Sequence, residues 1–495
     1  MKHETRAPVE VSPWWADVRA VGIFLLLVTA AKFLVAGTTE LLGDEAYYAL
    51  WALYPLQPGY YDHPPAVAAF IKIGWALFGE HELGTRAPAI LAGLFTCLAA
   101  WRVCFLATGS RALAALSAYW ISVTPGAFIG LFVMTIDAPA ILFWALTLWA
   151  VCEALKTNGQ RAWWLAVGVF AGLGLTSKYV GLFLGAGLLA WVLLDARARH
   201  LFGEAFVYLG GVIALLIFAP VVWWNVNNGL SSFSFQAGRA FRSSWQPSDL
   251  VYIPEFLAGQ AALLLPGLFV ISLIALWRIS TERNRKPPLL LSMLAVTALP
   301  LVVYFLVHGA TTRVQGNWPW VIYPQLVVIS IWAVQNLRIQ WIPKILMHAA
   351  HKLHITMGAV VCFLICLQAV TQIMPLPKGL DRTADMHGWR QSVSDVATAV
   401  SEQGQTTLLV RGYQAHAHMA VYSAWADNPA VQIHPKGSAF RYGFIPNKAS
   451  DTGMPFLVAP GRYNRDRDEL IGTFSRLGPD GQRYEAFQLV RAKGD

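Results

Sequence analysis

Apolar runs long enough to cross a bilayer recur along about three quarters of this sequence, and they restrict the folds open to it more than any other feature. They fall at about 20–38, 87–106, 113–131, 138–155, 162–177, 180–194, 205–224, 256–277, 289–307, 319–336 and 355–374. Inside a bilayer every backbone polar group must find its partner within the protein, so runs of this length and character predict transmembrane helices. Only 13% of the 495 residues are charged and 56% are hydrophobic, with mean hydropathy +0.48. A soluble chain would carry roughly a quarter charged residues. The expectation is an integral membrane, all-α bundle of about eleven helices, two of them (162–177 and 180–194) short enough to be partly re-entrant. The first run is long enough to stay in the membrane, and no cleavable signal peptide is expected before it. The five cysteines all lie in apolar runs and form no CxxC pair, so they read as packing residues.

The net charge of +9 belongs to loops rather than to a nucleic-acid surface. With the N-terminus inside, sixteen Lys and Arg fall on cytoplasmic segments and six on the opposite side: Lys72, Arg86, Lys178, Arg239, Arg242 and Arg313. The positive-inside bias therefore places the loops 39–86 and 225–255, and the C-terminus, outside. Within the first loop, AVAAFIKIGWALFGE (66–80) is amphipathic and suits the membrane interface. Both loops exceed simple connections, which points to function or to structure of their own. After residue 374 the composition changes. Residues 375–495 carry charges, glycines, β-like runs at 406–410, 456–460 and 487–490, and a helical stretch at 416–425. The expected division is a multi-span domain over 1–374 and a small outer α/β domain over 375–495.

Ionisable residues gather at the outward ends of the helices. The segment 43–65, GDEAYYALWALYPLQPGYYDHPP, holds Asp44, Glu45, Asp62 and His63. Arg86 follows on the same loop, Asp137 opens the fourth helix, and Lys178 lies between the fifth and sixth. Gln236 and Arg239 stand on the second long loop. Carboxylates at a membrane boundary are costly without a partner or a task. Each residue also has a plain structural reading. Tyr47, Tyr48, Trp51, Tyr54, Tyr60 and Tyr61 fit interface anchors. Asp137 fits a helix cap, Arg86 a headgroup anchor, Lys178 a snorkelling cation, and His63 an ordinary loop histidine. Asp44 next to Glu45 is the pair with the least structural use.

GDEAYY, GYYDHPP, LGTRAP, TIDAPA, LTSKYVG, WWNVNNGLSSFSFQAGR, EFLAGQ and NWPWVIYP, in this order, resemble the bacterial branch of the GT-C glycosyltransferases. These are relatives of the protein O-mannosyltransferases and of the aminoarabinose transferase that modifies lipid A. The likeness covers roughly residues 20–335. It implies transfer of one sugar from a polyprenyl-phosphate carrier to a hydroxyl acceptor at the periplasmic face of the inner membrane, with Asp44 and Glu45 as the catalytic acidic motif and Asp62 as a second acidic position. His63 stands where the aminoarabinose enzymes carry lysine.

A phosphate leaving group needs no general acid, only nearby cations; Lys178, Arg86, Arg239 and a protonated His63 are the candidates. Asp137, Tyr61 and Gln236 complete the expected donor site. The acceptor hydroxyl needs a base, for which a carboxylate suffices, and a single displacement inverts the anomeric centre. Asp62 with His63 leaves a divalent metal open; no spacing demonstrates one. The expected partners are a polyprenyl-phosphate-linked sugar, a glycolipid acceptor (lipopolysaccharide core or lipid A) and membrane lipids, with no nucleic acid. A flippase or transporter of lipid-linked sugars, a protein O-glycosyltransferase and a non-catalytic scaffold are the alternative classes. A transporter would show internal repeats and charges near the bilayer midplane, and neither is evident.

Overall fold

A computed structural model describes residues 13–495, except 157–160, 241–245, 282–286, 337–343, 378–380, 427–430, 436–442, 446–453, 461, 464–465, 480 and 493–495. Arg242, named above, lies outside the described residues. The chain opens with α1 (Val18–Ala36), whose first turn is capped by Asp17 accepting from the Arg19 N–H. Two helices then fold within the first long loop: α2 (Gly43–Leu53) and α3 (Ala66–Phe78). The bundle continues with α4 (Glu82–Thr108), α5 (Arg111–Val123), α6 (Pro125–Gly130), α7 (Asp137–Lys156), α8 (Trp163–Leu175), α9 (Gly181–Leu194) and α10 (Ala205–Asn227). The second long loop carries α11 (Ser231–Ala240) and leads to α12 (Tyr252–Leu264), α13 (Pro266–Thr281), α14 (Leu289–Gly309), α15 (Tyr323–Asn336) and α16 (Lys344–Thr371).

Among the described residues, six helices are long and apolar enough to span a membrane, and up to eight spans result if each of two bent pairs counts as one. This is a multi-pass membrane protein. Two of the expected runs are not single straight helices. The run at 256–277 breaks at Leu265, which adopts φ 66°, and α12 and α13 turn by 110° there because Pro266 cannot continue the α12 ladder. The run at 113–131 breaks at Thr124, again immediately before a proline.

Close helix approach in the bundle relies on small residues. A Cβ on Gly168 of α8 would lie 2.2 Å from the carbonyl oxygen of Gly210 on α10, so only glycine allows that crossing. One ion pair inside the bundle joins two helices: Arg102 of α4 donates to Glu153 of α7 at 2.6 Å.

The C-terminal residues form α17 (Trp389–Glu402), β1 (Thr407–Val410), α18 (Tyr413–Ala424), β2 (Gln432–Pro435), β3 (Phe456–Val458), β4 (Asp468–Leu477) and β5 (Arg483–Ala492). Their sheet runs β2-β1-β3-β5-β4. β1 is parallel to β2 and β3; β5 is antiparallel to β3 and β4. α17 and α18 supply Trp389, Val393, Val396, Val400, Ala417 and Met419 to a core that is continuous with α2 and α3 through Leu41, Ala46, Leu50, Trp51 and Val67. The C-terminal unit therefore has no core of its own on that side. The same packing accounts for α2, a helix buried on nearly every face because α3 and α18 enclose it. Tyr47, Tyr48, Trp51 and Tyr60, readable from sequence as interface anchors, are 0–6% exposed and belong to this core.

Candidate active site

The first turn of α2 gives its two consecutive acids opposite surroundings. Successive helical positions differ by about 100° in direction, so Glu45 faces the protein while Asp44 faces out. Glu45 is fully buried and accepts from four donors. Arg86 Nε and Nη2 reach its two oxygens at 2.9 and 2.7 Å, and the backbone N–H groups of Leu42 and Met134 do so at 3.0 and 2.9 Å. The Leu42 contact closes the α2 N-terminus. The rest of the Arg86 fork donates to the carbonyls of Ala36, Thr39 and Glu40 and to the Thr39 hydroxyl, at 2.7–2.9 Å. Arg86 is 0% exposed. Glu45, one of the expected catalytic acids, and Arg86, expected at the donor phosphate, are thus engaged with each other and with backbone groups inside the protein. Together they bind the end of α1, the start of α2, α4 and the turn before α7.

Asp44 is exposed, and its Oδ1 receives the Tyr413 hydroxyl at 3.2 Å and the Gln414 amide at 3.4 Å, both from α18. Asp62 is buried and accepts from the Tyr47 hydroxyl at 3.2 Å. It is placed by a tight turn in which the Tyr60 N–H donates to the His63 carbonyl, while the Tyr60 ring stacks on Trp51 at 4.0 Å. The second long loop closes over this turn. Gln236 of α11 donates to the Asp62 carbonyl at 2.7 Å and lies 3.5 Å from His63 Nδ1, and Phe235 packs on Tyr61 at 5.1 Å.

Asp137, at the start of α7, is 1% exposed and accepts Lys178 Nζ at 2.7 Å and the Asn317 amide at 2.8 Å. The Asp137 backbone N–H and Thr135 Oγ1 are 3.3 Å apart, so Asp137 is a paired carboxylate rather than the helix cap its position allows. The Lys178 side chain remains 12% exposed at the edge of the pair. Arg239 is exposed and lies over the rings of Phe235 and Trp318 at 5.6 and 5.1 Å, held by cation–π contact with the start of the NWPW segment. Arg313 lies apart, on Glu255 at 2.6 Å.

Tyr48 ties the acids together. Burial pushes its phenol well above the ordinary range, and the charges of Asp44, Asp62 and Asp137, with the neighbouring Tyr47, add to that rise. One ring thus feels three carboxylates that arrive from α2, the first loop and α7. The structure brings together Asp44, Asp62, His63, Tyr61, Gln236, Asp137 and Lys178, with Arg239 at the rim. Sequence reasoning missed Asn317, Tyr413 and Gln414, and took Tyr47 and Tyr48 for anchors. Asn317 was legible only as part of the NWPWVIYP segment. No group of three or more His, Cys, Asp or Glu among the described residues is placed to hold a metal ion.

A helical membrane bundle, with long loops that join acids and cations at one end and an α/β unit docked over them, is the arrangement of the GT-C fold. Solved structures place this chain in that fold. ArnT from Cupriavidus metallidurans, bound to undecaprenyl phosphate, superposes with TM-score 0.67 at 15% identity, covering 96% of this chain and 98% of that one. The Archaeoglobus fulgidus oligosaccharyltransferase tethered to an acceptor peptide superposes with TM-score 0.53 at 12% identity, covering 90% and 70%.

In sequence, the model of the dolichyl-phosphate-mannose-protein mannosyltransferase family matches residues 62–224. An undecaprenyl phosphate-alpha-4-amino-4-deoxy-L-arabinose arabinosyl transferase of Pseudomonas fluorescens is 30% identical over 190 residues, 35% of this chain and 32% of that protein. The lipopolysaccharide core galacturonosyltransferase RgtB of Rhizobium johnstonii is 24% identical over 178 residues, 34% and 35% respectively. The match thus spans about a third of the length of these relatives. Both relatives are named as transferases of a sugar, and the family match over residues 62–224 together with the shared fold agrees with the resemblance read from the ordered motifs.

Proposed function

We propose that this protein is an inverting glycosyltransferase. In this reading it moves a single sugar from a polyprenyl-phosphate carrier to a hydroxyl of a glycolipid, lipopolysaccharide core or lipid A, at the periplasmic face of the inner membrane. The observation that carries the reading is the division of labour among the acids around Tyr48. Asp44 alone is exposed, while Asp62 and Asp137 are buried and partnered. The names of the two curated relatives, each acting with a sugar of the bacterial envelope, support the donor and acceptor classes. An odd number of crossings, with the two long loops and residues 375–495 outside, fits the positive-inside count.

In the reaction, Asp44 takes the proton from the acceptor hydroxyl as its oxygen attacks the anomeric carbon. The bond from that carbon to the phosphate oxygen breaks, and the electron pair leaves with the polyprenyl phosphate. Lys178, held at the rim by Asp137, and Arg239, held by Trp318, stabilise the departing charge. Asp62, fixed by Tyr47 and by the Gln236 clamp, and His63 with Tyr61 position the sugar. A carboxylate base contributes roughly 10²–10⁴-fold to such a step.

The test is transfer by purified protein from synthetic undecaprenyl-phosphate-linked aminoarabinose and galacturonic acid to lipopolysaccharide, read by mass spectrometry. Addition of one sugar with inverted anomeric configuration is expected. Absence of transfer from every polyprenyl-phosphate donor, with donor carried across proteoliposomes instead, would favour a flippase.

A further inference from the structure

We infer that α18 of the C-terminal unit is a wall of the active site, with Tyr413 and Gln414 as positioning residues for Asp44. The inference rests on reading Asp44 as the base. Both described hydrogen bonds to the Asp44 side chain fall on Oδ1, from the Tyr413 hydroxyl and the Gln414 amide. Among the described residues, Oδ2 accepts none, on a residue that is itself exposed. Two neutral donors on one oxygen fix the carboxylate's orientation without cancelling its charge. Glu45, one residue on, shows the opposite arrangement: its guanidinium partner neutralises it and closes it off.

The approach of α18 is built into both segments. A Cβ on Gly43 would lie 2.7 Å from Gln414 Cδ and 2.8 Å from Nε2, so a side chain before Asp44 would push the Gln414 amide from its present place. The Tyr413 ring meets Tyr47 edge-on at 5.3 Å. Behind these residues α18 is pinned to the segment leading into α2. The Leu41 N–H donates to the Tyr422 hydroxyl at 2.7 Å, and His418 Nε2 lies 2.9 Å from the Leu41 carbonyl. Tyr422 in turn donates to Glu82 at 3.1 Å, and Glu82 also holds Arg390 of α17 at 2.7 Å. The membrane bundle thus supplies the base, and the C-terminal unit aims it.

The test compares steady-state kinetics of full-length Tyr413→Phe, Gln414→Ala and Gln414→Glu with Asp44→Asn as reference, using an undecaprenyl-phosphate-linked sugar as donor. Tyr413→Phe and Gln414→Ala are each expected to lower kcat about tenfold with donor KM unchanged, since a modest misplacement of a reacting group costs this much or more. Gln414→Glu keeps the shape that packs on Gly43 but replaces the donor with a second carboxylate, so it should lose more than Gln414→Ala. A packing role alone predicts the reverse order. If Asp44→Asn is inactive while the other three variants stay within twofold of wild-type kcat, the positioning role is overturned and the base stands. If Asp44→Asn retains wild-type activity, the base reading fails instead. Tyr413→Phe removes a single oxygen from a part-exposed ring, which keeps the test open should either Gln414 variant fold poorly.

Discussion

Replacing Arg86 by leucine should destabilise the fold before it touches the chemistry. The substitution removes six contacts of 2.7–2.9 Å at once: two to Glu45, three to backbone carbonyls and one to Thr39. It leaves a carboxylate at 0% exposure with only two backbone N–H donors. Breaking a buried ion pair from one side costs about 3–5 kcal/mol, which shifts the folding equilibrium by roughly 10²–10⁴. Arg86→Lys keeps the charge but not the bidentate fork and should fall between wild type and Arg86→Leu. The double variant Glu45→Leu/Arg86→Leu removes both charges, so it should be less destabilised than the sum of the single changes. Unfolding of detergent-solubilised protein, followed by circular dichroism with undecaprenyl phosphate binding measured alongside, checks this. An Arg86→Leu protein with wild-type unfolding and weakened phosphate binding would refute the reasoning and return Arg86 to the donor site.

Lys178→Gln should weaken undecaprenyl phosphate binding by roughly 10–100-fold, the worth of a charged hydrogen bond, and Lys178→Arg should restore part of it; binding curves that overlay wild type would remove Lys178 from the donor site. His416 and His418 are 0% and 1% exposed, and burial pushes both imidazoles down to about 3. The unfolded chain, with rings near 6.5, therefore binds protons that the folded chain refuses as pH falls through the window between about 6.5 and 3, so stability is full at neutral pH and is lost in that window. At pH 5 each ring costs about 2 kcal/mol, set almost entirely by the unfolded value because the folded rings are still neutral. Burial raises the Glu485 carboxyl, which works in the opposite sense. Hydrogen exchange of α18 and β1 at pH 7 and pH 5 measures the difference, and equal protection at both would contradict it.

The bundle was legible because a membrane allows few alternatives: each apolar run of spanning length maps onto one or two helices in the same order. The breaks at Thr124 and Leu265 were marked by the prolines that follow them, but hydropathy alone passes over such marks. α17 was missed although Trp389, Val393, Val396 and Val400 repeat at helical spacing, because the run is short and its other face is polar. β4, with little alternation of buried and exposed residues, gave no periodic signal.

At the site, the sequence identified which residue types gather and could not assign their roles. Asp44 and Glu45 are neighbours in the chain. What separates them is Arg86, forty-one residues from Glu45, and Tyr413 and Gln414, more than three hundred and sixty residues away. Such pairings depend on tertiary contacts and leave no local trace. Asn317, which joins the NWPW segment to Asp137, was hidden for the same reason.

The most direct test of the account is the rate of sugar transfer from an undecaprenyl-phosphate-linked donor by Asp44→Asn protein shown to be folded and to bind undecaprenyl phosphate like wild type. The account predicts a loss of at least about 10²-fold in kcat with donor binding intact. Turnover within a few-fold of wild type would contradict it, since the acceptor's proton would then be leaving by some other route.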